Sequence, residues 1–317
     1  MRTKFWGTRG SLPVALTAEI VRQKLIKGFN AAIGTKLDTP ELINDFVSNK
    51  LSFDISGTFG GNSSSIQIDT GESEFVFLDM GSGAKPAGLE ALKASSGKGR
   101  YHIFLSHLHW DHIMGFPFFV PAYLPGNRIT IYGGHDALCE SFATQQSPPF
   151  FPVNFNLLGA DIDFIQLEPG RSYNVAGMNV SIMKQFHGGD SYGYRFEKCG
   201  KCFVYATDAE HKPDDAEHLK EIVAFFKDAD AVVFDAMYSL ADALSSREIW
   251  GHSSNMVGVE LCHKAGAKRL CLFHHDPALS DEALFQIHNE TRRLEEIIRE
   301  GTPLEIITAF DGLELQL

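Results

Sequence analysis

The chain has 317 residues, of which 44% are hydrophobic and 25 are phenylalanine. It is therefore long enough to bury a sizeable core in one large domain or two small ones. Its formal net charge of -12 argues against broad binding of a polyanion, because phosphates are neutralised by lysine and arginine. A small phosphorylated substrate held by a local cation remains compatible with this charge.

Targeting signals and membrane spans are not predicted. No run reaches the ~18 apolar residues of a membrane span, and the first residues contain no signal-peptide stretch. The cysteines are sparse and odd in number, which is typical of reduced thiols in the cytoplasm. They are Cys139, Cys199, Cys202, Cys262 and Cys271. We therefore expect a cytoplasmic protein without a membrane partner.

The first predicted elements are a short strand at 2–8 and two helices. Apolar residues recur at helical spacing over 17–33. The second helix covers 39–50, where threonine can cap the helix, proline fits its first position and glutamate favours its positive end. The helical segment at 15–55 then stops where glycine and serine become frequent, and we interpret it as an insertion.

Strands dominate the rest of the chain, and helices separate groups of them. The predicted strands are 64–69, 74–80, 102–107, 129–134, 178–186, 193–197, 202–208, 231–237 and 269–274. The predicted helices are 85–94, 112–119, 135–145, 214–227, 254–265 and 281–300. This order predicts two sheets between helical layers in a single domain covering 1–317.

The stretch FLSHLHWDHIMGF at 104–116 has the pattern of half a metal site. It leaves a buried strand and enters a predicted helix. In an extended stretch, residues two apart point the same way, so His107 and His109 can bind one cation. Asp111 and His112 follow at the turn and can face a second one. Imidazole and carboxylate suit Zn²⁺, Fe or Mn²⁺ better than Mg²⁺ or Ca²⁺.

The remaining ligands are expected at other strand ends, because one loop cannot surround two ions. His187, Asp208 and His274 each end a predicted strand. The two oxygens of Asp208 suit a bridge between the ions, His187 completes the first ion and His274 the second. His275 is the alternative to His274, and alternation along a strand allows only one of them to face the metals. Asp79 is expected to orient a ligand imidazole.

This set of residues resembles the metallo-β-lactamase superfamily over nearly the whole chain, from 2 to 310. Within it, the chain is similar to the phosphodiesterase branch that includes tRNase Z and small cyclic-phosphodiester hydrolases. HGGDSYGYRFE at 187–197 resembles that branch's ligand histidine followed by Gly-Tyr-Arg. Asp208 stands where β-lactamases with a cysteine ligand carry Cys. The resemblance implies a four-layer αββα sandwich, of mixed α/β class, with a dinuclear metal site between the sheet edges.

Two further residues are candidates for acid catalysis. GHSS at 251–254 is similar to the branch's His-Ser-Thr element, with serine in place of threonine, and Asp235 falls where the branch carries Glu. His252 could protonate the leaving group while Asp235 orients it. Two other interpretations stay open: His252 only starts a helix that Ser253 or Ser254 caps, and Asp235 only binds a backbone turn.

The predicted function is hydrolysis of a small phosphodiester, for instance a cyclic nucleotide, by water activated between two divalent ions, with Zn²⁺ preferred over Mn²⁺ or Fe. Asp111 would hold its metal and orient the water. Family members that process tRNA grip it with a long arm between the equivalents of His187 and Asp208. Only 21 positions separate these residues here. Polymeric nucleic acid is therefore disfavoured as a partner.

Other functions fit the same fold. A lactonase or thioesterase would share the metal site without needing the pair His252 and Asp235. A redox di-iron module usually carries Glu at the position of His109, which disfavours that alternative. The insertion at 15–55 could be a lid, the surface of a homodimer, or an additional segment that only packs on the sandwich.

Overall fold

The computed structural model describes residues 1–211, 215–237 and 251–317. Its strands are β1 (Arg2–Gly7), β2 (Ser65–Asp69), β3 (Phe75–Leu78), β4 (Arg100–Phe104), β5 (Arg128–Gly133), β6 (Asp161–Gln166), β7 (Ser172–Val175), β8 (Met178–His187), β9 (Gly189–Lys198), β10 (Lys201–Ala206), β11 (Ala231–Asp235), β12 (Arg269–Phe273), β13 (Glu305–Thr308) and β14 (Glu314–Gln316). The helices are α1 (Ala18–Ala32), α2 (Pro40–Asn49), α3 (Phe53–Ser56), α4 (Ala84–Ala94), α5 (Trp110–Ile113), α6 (Leu138–Gln145), α7 (Ala216–Phe226), α8 (Asn255–Ala265) and α9 (Asp281–Ile298).

The strands form two seven-stranded sheets with the same kind of layout. The first has the order β14-β1-β2-β3-β4-β5-β6, and the second has the order β13-β12-β11-β10-β9-β8-β7. Each sheet is antiparallel in one half and parallel in the other, with β3 to β6 and β10 to β13 running parallel. Chemistry in such sheets concentrates at the carboxyl ends of the parallel strands.

Three apolar cores alternate with the two sheets. The middle core contains side chains of both sheets, with Phe5 against Phe273 and Phe104 against Tyr194 at ring centroid distances of 6.1 and 5.4 Å. An outer core joins the first sheet to α4, and another joins the second sheet to α7, α8 and α9. The predicted four-layer αββα sandwich is thereby confirmed.

Some predicted elements were wrong or missing. The helix expected at 112–119 is only the short α5, followed by 3₁₀ turns at Phe116–Phe118 and Val120–Tyr123. Pro117 and Pro121 carry no backbone N–H and therefore interrupt an α-helix. Four strands were not predicted, namely β6, β7, β13 and β14. The first residue of the helix predicted at 214–227 lies outside the described residues.

The segment at 15–55 forms α1, α2 and α3. Thr17 and Thr39 cap the first two helices, accepting bonds from the N–H groups of Ile20 at 3.2 Å and Leu42 at 3.3 Å. No residue of α1 is buried, and Phe46 is the one buried residue of α2. In the part of the chain that the structure describes, no helix has the length and apolarity needed to cross a membrane.

Candidate metal centre

Three polar residues of the site follow strands with an unusual backbone conformation. Asp79 comes directly after β3, Asp208 shortly after β10, and His274 directly after β12. Their φ angles are 55°, 42° and 59°. In this left-handed region the Cβ atom crowds the backbone, so most residue types avoid it. The conformation turns the chain sharply after each strand, and the three side chains meet where the first sheet, with β3, and the second sheet, with β10 and β12, adjoin.

The first cluster of metal-binding side chains consists of His107, His109 and His187. His187 Nε2 lies 3.1 Å from His109 Nδ1. Among the described residues, none offers the buried His107 Nε2 a hydrogen-bond partner. Burial and the charge of His112 lower the pKa of His107 well below its usual range, which favours the neutral ring that a metal ligand must have.

The second cluster consists of Asp111, His112 and His274, all buried. The His112 Nε2 and His274 Nε2 atoms are 3.2 Å apart. The Asp111 Oδ2 atom lies 3.2 Å from the first of these nitrogens and 3.1 Å from the second. Three potential ligand atoms thus converge on one point.

Asp208 lies between the two clusters. Its Oδ2 is 3.6 Å from His107 Nε2, 3.7 Å from His187 Nε2 and 3.2 Å from His274 Nε2. Its Oδ1 is 3.3 Å from His112 Nε2. Burial raises the pKa of Asp208, but the surrounding imidazoles lower it to well below its usual range overall, so the carboxylate is ionised. It can therefore contact a cation in either cluster.

The hydrogen bonds of the histidines test whether these clusters fit metal ions. His112 Nδ1 bonds Asp79 Oδ2 at 2.7 Å, and His187 Nδ1 bonds the carbonyl oxygen of Gly251 at 2.8 Å. Both partners are acceptors, so the ring proton is assigned to Nδ1 and the Nε2 lone pairs face the clusters. Lone pairs of nitrogen and carboxylate oxygens that converge at 3 to 4 Å repel one another unless a proton or a metal cation lies between them. The residues present therefore fit a dinuclear metal site.

Asp79 connects the site to both sheets. Its Oδ2 accepts bonds from Ser106 Oγ at 2.7 Å and Tyr205 OH at 2.6 Å, in addition to the one from His112. Its Oδ1 accepts the Ser106 N–H at 2.8 Å. The role of Tyr205 was not predicted from the sequence, although its place two residues before the strand-end pair Thr207 and Asp208 is a usable signal. The carboxylate thereby fixes the orientation of the His112 ring.

Replacing Asp79 with asparagine should weaken metal binding by ~10- to 100-fold, because partners that orient a ligand imidazole have effects of this size. The asparagine keeps the shape but loses the charge that holds the proton on His112 Nδ1. Competition with a chromophoric chelator measures the affinity. Tyr205→Phe removes one of the donors to Asp79 and serves as the matched variant, for which a smaller loss is expected. Equal affinity of Asp79→Asn and the unchanged protein would contradict this role.

The loop after β1 also contributes backbone atoms to the site. The Ser11 N–H donates to Asp111 Oδ2 at 2.8 Å. Gly10 packs against the ring of His274, where a Cβ atom on Gly10 would lie 2.4 Å from His274 Nδ1. Neither residue was predicted to belong to the site, because a backbone donor and a missing side chain carry no chemical signature in the sequence. The loop therefore sets the position of two candidate ligands.

Gly10→Ala should push the His274 ring out of place without unfolding the sandwich. A displacement of about 1 Å at a reacting group can lower kcat/KM by ~10²-fold. The variant is expected to lose about this much activity and to bind less metal, while its thermal unfolding changes little. Gly301→Ala is the control, because a Cβ at Gly301 would meet no atom within 4 Å. Unchanged metal content in Gly10→Ala would contradict the prediction.

His252 and Asp235 lie beside the two clusters. The His252 Nδ1 atom bonds Asp235 Oδ2 at 2.8 Å, and the N–H groups of Ala209 and Met237 donate to the same carboxylate. The His252 ring lies 5.0 Å from that of His187 and 5.1 Å from that of His274, between centroids. Burial lowers the pKa of His252, but the charge and hydrogen bond of Asp235 outweigh this effect, and the more distant Asp208 and Asp111 contribute to a value of about 9.

The other predicted site residues have clear positions. His275 points away from the clusters, and its Nε2 donates to the carbonyl oxygen of Ala309 at 2.8 Å. Of the two neighbouring histidines, His274 is thus the one that faces the site. The structure brings together all seven residues expected to bind metal and both residues expected to handle the leaving group. The seven are His107, His109, Asp111, His112, His187, Asp208 and His274.

Comparison with known proteins gives a consistent result. The profile of the Beta-lactamase superfamily domain matches residues 66–275. Ribonuclease BN of Proteus mirabilis is 27% identical over 241 residues, which cover 59% of this chain and 75% of that protein. Ribonuclease Z of Acaryochloris marina is 23% identical over 297 residues, which cover 77% of this chain and 88% of that protein.

Solved structures share the fold at low sequence identity. The metallo-β-lactamase fold protein YhfI from Bacillus subtilis superposes with a TM-score of 0.64 at 17% identity, covering 99% of this chain and 98% of its own. The short form of human tRNase Z gives a TM-score of 0.58 at 18% identity, covering 100% of this chain and 99% of its own. These similarities extend over the whole sandwich, including the part before residue 66.

Proposed function

The chain belongs to the β-lactamase superfamily and is a metal-dependent hydrolase, and we propose that its substrate is a small phosphodiester such as a cyclic nucleotide. The observation that carries the proposal is the pair of His252 and Asp235 beside the two ligand clusters. Cleavage of a phosphodiester with an alkoxide leaving group needs a proton for the departing oxygen, and this pair is suited to supply it.

The two clusters would each hold one divalent ion, with Zn²⁺ favoured over Mn²⁺ or Fe. The first ion would be bound by His107, His109 and His187, and the second ion by Asp111, His112 and His274. Asp208 would contact both ions. Donor sets of imidazole and carboxylate suit these metals. When bound, two such ions would supply an activated water and neutralise charge on the phosphate oxygens. Asp111, held by the Ser11 N–H, has its other oxygen available to orient the water.

His252 would act on the leaving group. One ring proton sits on Nδ1 against Asp235, whose charge and hydrogen bond raise the pKa of His252 against the effect of burial and so favour the imidazolium, in which Nε2–H can donate. The buried Asp235 carboxylate, fixed by two backbone N–H groups, keeps the ring in this orientation and stabilises its charge. After the proton has passed to the departing oxygen, the neutral ring can regain one from solvent.

The proposal of a small substrate rests on the short stretch of sequence between His187 and Asp208. Strands β9 and β10 fill this interval as a plain hairpin that pairs within the second sheet. No long arm for gripping a folded RNA is therefore inserted there. The net charge of -12 also disfavours a polymeric polyanion. RNA is nevertheless the second candidate, because the curated relatives include ribonucleases.

A substrate screen tests the proposal. The purified chain is stripped of metal, reloaded separately with Zn²⁺ and Mn²⁺, and assayed on bis-p-nitrophenyl phosphate, 2′,3′- and 3′,5′-cyclic nucleotides, a structured RNA, a lactone and a thioester. We expect hydrolysis of the phosphodiesters in the loaded protein and none in the stripped protein. Activity confined to the lactone or thioester would refute the proposal, and activity confined to RNA would refute the small substrate.

A further inference from the structure

The candidate metal ligands differ in exposure, and the difference shows where a substrate enters. His187 is half-buried, and His109 is exposed. The other candidate ligands are buried, namely His107, Asp111, His112, Asp208 and His274. The clusters are therefore open to solvent on the side of His109, and a substrate approaches them from there.

Trp110 stands beside this entrance. It follows His109 directly and precedes Asp111, so its Cα lies about 3.8 Å from the Cα of each of these candidate ligands. Trp110 is 67% exposed. Leu108, which also lies between two candidate ligands, instead packs against the outer core of the first sheet. The indole of Trp110 thus remains in water, and a ligand that covers it would gain the free energy of burying a large apolar ring.

A groove of about 470 Å³ extends from Trp110 to helix α6. This volume is within the range of roughly 300 to 1,000 Å³ that is usual for small-molecule sites. Its second exposed aromatic residue is Phe150, which is 64% exposed. Glu140, Ser141 and Thr144 of α6 line the groove with polar groups. We call this surface the aromatic groove, and it presents both flat apolar rings and hydrogen-bonding groups.

The aromatic groove is held next to the loop of candidate ligands by a hydrogen bond. Gln145 Nε2, on α6, donates to the carbonyl oxygen of Ile113 in α5 at 3.0 Å. Ile113 follows the candidate ligand His112, and both Gln145 and Ile113 line the groove. Helix α6 and the ligand loop are thereby fixed relative to each other, as in the preformed sites that bind small molecules.

We propose that the aromatic groove binds the nucleobase of a nucleotide phosphodiester, with Trp110 as its stacking surface. This inference rests on the proposed function, which places the phosphodiester at the ion clusters. Nucleobases stack their flat faces on aromatic side chains and form hydrogen bonds through their polar edges. The groove offers both kinds of contact. An alkyl group would displace water from the polar groups of α6 without replacing its hydrogen bonds, so a nucleobase is the better fit.

Kinetics on two cyclic phosphodiesters test the role of Trp110. Adenosine 2′,3′-cyclic phosphate carries a base, and glycerol 1,2-cyclic phosphate has the same kind of phosphate ring without one. Trp110→Ala should lower kcat/KM for the adenosine compound by ~10- to 100-fold, the size of a lost base–aromatic stack, and leave kcat/KM for the glycerol compound unchanged. Trp110→Phe keeps an aromatic ring and should recover most of this loss.

A second variant avoids the ligand loop altogether. Phe150→Ala should show the same selective loss on the adenosine compound, but of smaller size. Metal content and thermal unfolding are measured in every variant, because Trp110 neighbours two candidate ligands, and both should match the unchanged protein. Phe29→Ala is the matched control, since Phe29 is 73% exposed but lies on α1, outside the aromatic groove. It should change the kinetics of neither substrate.

The outcomes separate the base site from the proposed function. Equal losses on both substrates, or an unchanged kcat/KM of Trp110→Ala for the adenosine compound, would overturn the assignment of the aromatic groove to a nucleobase. The proposed function would survive either result, because the unchanged protein would still hydrolyse phosphodiesters. Hydrolysis of neither compound by the metal-loaded protein would refute the proposed function and the base site that rests on it.

Discussion

Replacing Asp208 with alanine is expected to lower kcat/KM by at least ~10³-fold and to reduce the number of bound metal ions. Asp208 approaches four candidate ligand nitrogens, on His107, His112, His187 and His274, at 3.2 to 3.7 Å. Its removal takes away a ligand from both clusters and the negative charge that balances the ions. A factor of 10³ corresponds to about 4 kcal/mol of transition-state stabilisation. Metal analysis and steady-state kinetics measure the two effects.

The matched control for this variant is Asp69→Ala. Asp69 also lies at the end of a strand, but it is exposed and forms a surface ion pair with Arg2 at 3.0 Å. Surface pairs of this kind contribute little to stability, so activity and metal content should remain unchanged. If Asp208→Ala retained both ions and full activity, the bridging role proposed for Asp208 would be wrong.

Replacing His252 with alanine should slow the reaction in a way that depends on the leaving group. General acid catalysis typically contributes ~10²- to 10⁴-fold, and an alkoxide such as a nucleoside ribose oxygen needs the proton. p-Nitrophenolate leaves without one. We therefore expect a loss of ~10²-fold or more on a cyclic nucleotide and a much smaller loss on bis-p-nitrophenyl phosphate, with metal content preserved. The ratio of the two losses is the decisive measurement.

Two further variants sharpen this test. Asp235→Asn keeps the shape of the partner but not its charge. It should show the same dependence on the leaving group as His252→Ala, but with a smaller loss of rate. His263→Ala is the control, because His263 lies on α8 and contacts Glu295, away from the site. Equal losses on both substrates, or loss of metal from His252→Ala, would indicate that His252 binds metal or supports the fold instead.

The sandwich could be predicted because strand and helix patterns are strong in the core. The strands β4, β10, β11 and β12 are mostly apolar and buried, and each overlaps a predicted strand, β11 and β12 over their full length. The missed β6 and β7 are the outermost strands of their sheets, and β6 has no buried residue. An edge strand without a buried face leaves little pattern in the sequence. Tertiary pairing, rather than local sequence, decides that such segments are strands.

The site, like the fold, had residues that could be predicted from the sequence and others that could not. Histidine and aspartate at strand ends could be recognised, because carboxyl ends of neighbouring strands meet at one edge and these residue types bind metal. Gly10 and the carbonyl oxygen of Gly251 could not, since their contacts depend on how separate loops pack. The pairing of His252 with Asp235 was expected from the family resemblance and from the strand-end position of Asp235, and the structure adds the 2.8 Å hydrogen bond that joins them.

The left-handed backbone at Asp79, Asp208 and His274 has a consequence for the order in which the protein loses structure. Each such residue costs roughly 1 to 2 kcal/mol relative to a right-handed one, and the cost persists only while the surroundings enforce the conformation. Metal ligation would be part of that enforcement. Removal of the ions should therefore leave three turns with strained backbone at one rim of the sandwich, while the rest of the sandwich is unstrained. Hydrogen exchange in the metal-free chain should begin at this rim, while the middles of the same strands remain protected.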